Sequence, residues 1–343
     1  AVIVIACPVA MIFPAYSSTG NIIATGQAIT ITASTTTAAG ISDTGTINGG
    51  VVTLTATQST STATATPITA TGAITANSLT VTGTGGASTT IVSLGAITIN
   101  AGGGNIAVTA NNAAAGTNTG ITQTGAINDN AVGSNISFTS NNDIDQNGAI
   151  TLVANTGTAP ANITYSTIAG NNTSIITTAA LSVTGTSTSA INYLVKTNGA
   201  IISVPAITIP GYILLDNSCL GCATAITTST AATNGAAITI TGALSAGSLA
   251  GSTGVTINAV ANGSGVGFTQ GANAISSAAG GVTITANSQT GIAYSSTGNI
   301  TAAGQAITIT ATTTAAAGIS DTGTINGGVV TLTATQSLSL IHI

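Results

Sequence analysis

Strand-length phrases recur along this chain, and that recurrence constrains its fold more than any other feature. One phrase, built on A-I-T-I or A-I-T-L, falls at 28–32, 95–99, 148–152, 206–209, 236–240 and 306–310. A second, I-x-(Q/D)-x-G-x-I, begins at Ile41, Ile121, Ile144 and Ile319, with a looser version, FTQGANAI, from Phe268. Each alternates apolar and polar residues with a period of two, as a strand with one buried face does. The β-branched Ile, Val and Thr suit a pleated surface. Gly, Asn, Asp and Ser between the phrases are turn formers. No window carries an apolar stripe of helical period and helical length. On a longer scale, 16–59 returns at 294–337, an offset of 278 residues. Only four of the 44 positions differ: Ile23/Thr301, Thr25/Ala303, Ser34/Thr312 and Thr37/Ala315.

One such strand–turn–strand unit cannot bury its inward face alone, but a stack of them can. The repeats therefore predict an all-β chain, a β-solenoid with coils of about 20–30 residues. Successive coils pair at ~4.8 Å, inward Ile and Val stack into ladders, and Asn at turns can form amide ladders. Phrase spacings near 23 residues, as from Ala73 to Ala96 and from Ala126 to Ala149, predict roughly 15 coils and a rod of about 70 Å. A string of β-sandwich domains is the weaker fit. Sandwich cores use Trp or Tyr, and here Trp is absent and Tyr numbers five.

Charge narrows the function. Charged residues are 2% of the chain, and Lys196 is the single cation among Lys and Arg. Nucleic-acid binding needs clustered cations, so no nucleic-acid partner is expected. No helix-length apolar run suggests a membrane span. Of three cysteines, Cys219 and Cys222 form CLGC and are expected to make a small local disulfide of an exported protein. Cys7 stands alone, and the only histidine is His342, too few ligands for a zinc site.

The stretch DIDQNGAITLVA, 143–154, looks like a calcium loop. Asp143, Asp145 and Asn147 alternate ahead of Gly148, where such a loop turns sharply. Its twelfth position is Ala154, where calcium loops carry a bidentate acid, and flanking helices are missing. What remains is a weak candidate cation site at Asp143, Asp145 and Asn147, with Asn141, Asn142 and Asp129 as further oxygens and calcium as the cofactor. The same residues also form one copy of the I-x-(Q/D)-x-G-x-I phrase. Asp43 and Asp321 share a repeat position, and Asp129 and Asp216 stand alone. Hydrolysis by paired carboxylates needs facing acids, so the chain reads as non-enzymatic, with a polysaccharide-active β-helix as an alternative.

Threonine gives another alternative. T-x-T pairs occur at Thr30/Thr32, Thr53/Thr55, Thr80/Thr82, Thr283/Thr285, Thr308/Thr310 and Thr331/Thr333. Stacked in one file, they would form the surface of an ice-binding solenoid. Their unequal spacing, from 23 residues between Thr30 and Thr53 to 203 between Thr80 and Thr283, argues against a single file.

The stretch GNITAAGQAITITATTTAAAGISDTGTINGGVVTLTATQS, 298–337, resembles the shaft repeats of filamentous haemagglutinin-like exoproteins, large bacterial surface adhesins exported by two-partner secretion. The resemblance runs from about 16 to 337 and lies in the G-x-I-x-(I/L)-x-A strands with Gly, Asn and Thr turns. It implies a right-handed parallel β-helix, secretion to the bacterial cell surface through an outer-membrane partner, and a stalk that projects a distal binding region for adhesion or biofilm. Host or surface glycans, host proteins and sister adhesin chains are the partners it implies. No catalytic or binding residue carries over. Residues 1–15, AVIVIACPVAMIFPA, are an atypical apolar end, read as a truncation or a signal-like remnant. The tail 338–343, LSLIHI, resembles a translated sequencing adapter. The solenoid proper is therefore expected over 16–337, as an internal fragment of something longer.

Overall fold

A computed structural model describes residues 3–4, 9–60, 62–86, 90–112, 119–167, 175–177, 179–197, 201–218, 236–249, 252–261 and 263–336. All regular structure in them is β-strand, paired in parallel. The chain is a β-solenoid, as the repeats predict. Each coil has three faces. The first carries short strands such as Tyr16–Ser18 and Ile41–Asp43. The second carries short strands such as Ile22–Ala24 and Ile47–Gly49. The third carries long ones such as Ile29–Thr35 and Val51–Gln58. The first face is a separate twelve-stranded sheet. The other two join into one sheet because Ile300–Thr313 and Ile325–Gln336 run continuously around their shared corner.

Register follows side-chain size. On the third face Ile29, Val52, Leu79, Ile106, Ile136, Ile163, Tyr193, Ile213, Val255, Val282 and Ile307 follow one another in one inward file. Further along the strand, Ala33, Ala56, Gly83 and Ala110 form a file of small residues where the core narrows. Almost every inward aliphatic is buried, and each full burial of an Ile or Leu is worth about 1.5–3 kcal/mol. Where the core widens, aromatics fill it. Phe138 and Tyr165 stack at 5.3 Å, and Tyr165 meets Tyr193 at 5.7 Å.

Two corners use glycine for different reasons. Between the second and third faces, Gly26 and Gly304 have φ of +74° and +72°, the left-handed region glycine favours. Between the first and second faces the glycines stack coil on coil. A Cβ on Gly72 would lie 1.7 Å from the carbonyl oxygen of Gly45, and one on Gly148 1.6 Å from that of Gly125. Backbone approaches backbone there, and only glycine leaves room.

Coil length departs from expectation. Among the described residues the first face has twelve strands, one per coil, fewer than fifteen, and twelve coils make a stack of roughly 55 Å. Steps along the first face range from 23 residues, Ile121 to Ile144, to 37, Ile201 to Ile238, so some exceed the expected coil size. The A-I-T-I phrase misled because it marks no particular face. It lies on the third face at Ile29–Thr35, the second at Ile97–Ile99 and Ile150–Val153, and the first at Ile238–Ile240. The I-x-(Q/D)-x-G-x-I phrase does keep its place, starting on the first face in all four copies.

Candidate functional site

The acidic and amide residues of the second phrase point inward at the first corner. Asp43 is fully buried. Its Oδ1 accepts the Gly45 N–H at 2.7 Å, and its Oδ2 accepts the Tyr16 hydroxyl at 3.3 Å. Asp321, its repeat partner, accepts the Gly323 N–H at 2.9 Å. In other coils the same place holds Ser18, whose Oγ accepts the Gly20 N–H at 3.0 Å, or Gln123, whose Nε2 donates to the Gly95 carbonyl at 2.7 Å. Gln146 likewise donates to the Gly148 carbonyl. These side chains satisfy the backbone of the glycine corner, as buried polar groups must be satisfied. Burial pushes the Asp43 carboxyl above its ordinary range, against the opposing Gly45 and Tyr16 bonds. Burial also raises Asp129, whose carboxylate accepts from Ser134 and from the Ala131 N–H.

The candidate cation residues divide between a strand and a corner. Asp143 and Asp145 lie on the outward side of the strand Asp143–Gln146, with Ile144 and Gln146 inward. On one strand edge such i, i+2 side chains start about 6.7 Å apart. Asn147 is exposed in the corner that follows, its N–H donating to the Gln123 carbonyl at 2.8 Å. Asp145 pairs in register with Thr122 below and Ile176 above. Burial raises its carboxyl, a Thr119 hydrogen bond lowers it, and Oδ1 is buried without a hydrogen-bond partner. Two of the further oxygens are engaged elsewhere. Asp129 is buried on the second face, and Asn141 exchanges hydrogen bonds with the Asn112 backbone at 2.7 and 2.8 Å. Among the described residues no three His, Cys, Asp or Glu gather as a metal site. Cys7, Cys219, Cys222 and His342 lie outside the described residues.

The T-x-T pairs occupy one face. All six are on the third, and they stack despite their unequal spacing. Thr30, Thr53 and Thr80 are successive register partners, as are Thr32, Thr55, Thr82, Thr109 and Thr139. Thr283, Thr308 and Thr331 form a second run beside Thr285, Thr310 and Thr333. Between the runs the outward positions change to Leu194 and Lys196, then Leu214 and Asp216. Spacing could not reveal this, because extra residues sit in the corners and leave strand register intact.

One feature escaped the sequence reading in its particulars. Asn105, Asn135, Asn162 and Asn192 form an amide ladder at the start of the third face. Asn105 Oδ1 accepts the Asn135 N–H at 2.8 Å, Asn135 Oδ1 accepts the Asn162 N–H at 2.9 Å and its side-chain amide at 3.2 Å, and Asn162 Oδ1 accepts the Asn192 side-chain amide at 2.9 Å. The signal was present as Asn one residue before an inward residue, in NIAVT, NISFT, NITYS and NYLVK. The ladder ends where Asn192 Oδ1 accepts the Tyr212 N–H at 3.2 Å. No helix among the described residues is long and apolar enough to cross a membrane. Neither a family model, nor a curated protein, nor a solved structure matches the chain.

Proposed function

We propose that this chain is a length of the shaft of a secreted bacterial surface adhesin of the filamentous haemagglutinin-like kind, a rod that carries a distal binding region away from the cell. The supporting observation is unbroken parallel pairing of coil to coil, from Ile3–Val4 on Ile22–Ala24 to Ile300–Thr313 on Ile325–Gln336. Such a stack transmits load along its axis through backbone hydrogen bonds, and its outward Thr and Ser keep it wet with almost no charge. Its role is mechanical, not enzymatic, and its export route is an outer-membrane partner. The test is to replace the shaft of a two-partner-secretion exoprotein with residues 16–336 and tag the distal end. The tag is expected on the outside of intact cells. A tag retained in the periplasm would overturn the reading.

A second reading has its own observation. The two Thr files are in register over several coils. Hydroxyls and methyls then repeat about 4.8 Å along the rod and 6.7 Å across it, the kind of regular array that orders water into ice. Thermal hysteresis of the purified chain, lost in Thr55→Lys, would favour this reading. Freezing indistinguishable from an equal concentration of a control protein would exclude it.

A further inference from the structure

The rod carries a recess of about 580 Å³ at the corner between its second and third faces, within the size range of small-molecule pockets. Corner lengths make it. From Thr184 to Ile191 the corner spans 185–190, and from Ala246 to Gly254 it spans 247–253. Between these two coils, the corner from Thr208 to Ile213 has only 209–212. The short corner is sunk between 185–190 on one side and the described residues 247–249 and 252–253 on the other. Its floor is Pro210, Gly211 and Tyr212, and its walls include Asn192 on one side and Leu249 and Ser252 on the other. A second hollow of about 270 Å³ shares Pro210 and continues along the same corner.

The chemistry of this groove is particular. Tyr212 stands one residue before inward Ile213, where four earlier coils place ladder asparagines. The next coil has Gly254 at that place, so the register position over the tyrosine carries no side chain. The other four tyrosines are buried, and Tyr212 alone is partly exposed. Asn192 and Ser252 are fixed by bonds to Asn162, Tyr212 and Gly211, whereas the hydroxyls of Tyr212, Thr188 and Thr253 have no partner among the described residues. Among the described residues no charged side chain lines either hollow.

We propose that this groove binds a neutral oligosaccharide, with the Tyr212 ring against the C–H face of one sugar and a further sugar lying across Pro210. An anionic ligand would find no cation, and a cationic one no carboxylate. A purely apolar ligand would leave the free hydroxyls without partners. A sugar offers both an apolar ring face and hydroxyls that donate and accept, matching an aromatic ring with a polar tip and two threonines. The site goes beyond the shaft reading, since a shaft without it would still present a distal domain.

Titration calorimetry of the full chain tests this with neutral hexasaccharides from plant and microbial polysaccharides (cello-, xylo-, manno- and chito-) and from animal glycans (lacto-series). At least one probe is expected to bind, and which series binds identifies the source. Tyr212→Ala should weaken that probe by at least about tenfold, and Tyr212→Phe by no more than about threefold. Thr253→Arg, at an exposed position, should also cost about tenfold and decides the matter if Tyr212→Ala fails to fold. Failure of every neutral probe to bind, or binding indifferent to both Tyr212→Ala and Thr253→Arg, would overturn the proposal, whatever the secretion experiment shows.

Discussion

A single methyl group separates the two kinds of glycine in this rod. Gly148→Ala puts a Cβ 1.6 Å from the Gly125 carbonyl oxygen, so two coils must part, at a cost of about 3 kcal/mol or more. Gly26→Ala meets nothing within 4 Å and suffers only its left-handed φ, roughly 1–2 kcal/mol. Urea unfolding should rank them in that order. The sequence showed that a glycine belonged at 148 but assigned it to turn conformation. The real cause, contact with a coil 23 residues earlier, is invisible until register is known. Buried acids make a second residue-scale expectation. Asp43 and Asp129 are raised above the ordinary 3.8 by burial. The fold therefore holds their protons more tightly than the unfolded chain does. Their contribution is fully present below 3.8 and is lost as pH rises through the raised values. Thermal midpoints should fall as pH rises above the ordinary 3.8, and Asp43→Asn with Asp129→Asn should flatten that fall. A midpoint that climbs instead would contradict the assignment.

At the scale of one strand and its neighbours, the amide ladder is the sharpest case. Asn135 lies inside it, and Asn135→Ala leaves both Asn162 donors without their acceptor, costing about 1–3 kcal/mol. Asn128→Ala, on an exposed side of the second face, should stay within about 0.5 kcal/mol. Equal effects in denaturant titrations would show that the ladder contributes nothing special. Strand identity was easy to read, because alternation in phrases such as ITIT is local. Strand position was not. The same A-I-T-I serves on all three faces, so alternation says which side is in but not which face. The Thr files were hidden for a related reason, since insertions collect at corners and disturb sequence spacing without disturbing register. The recess at Tyr212 was hidden too, because it depends on the lengths of three successive corners.

Across the whole molecule, stability is a sum over neighbours. Residues 47–58 and 325–336 are identical, INGGVVTLTATQ. Val52 and Leu54 are fully buried beneath the following coil, whereas Val330 and Leu332 are 42% and 51% exposed. Burial is thus conferred by the adjacent coil and not by the segment itself. Removing 41–67, one whole coil, brings Ile68 into the place of Ile41 and keeps every inward file in phase. That variant should retain a cooperative thermal transition and a β-type circular dichroism spectrum. Removing 48–60 cuts within a coil and should abolish the transition; a cooperative melt there would show that phase is unimportant. The near-identical segments starting at Tyr16 and Tyr294 both begin strands of the first face, ten coils apart. Recombination between the matching stretches of DNA would therefore delete or insert ten coils without a seam. Long-read sequencing should then find alleles that differ by 278 codons.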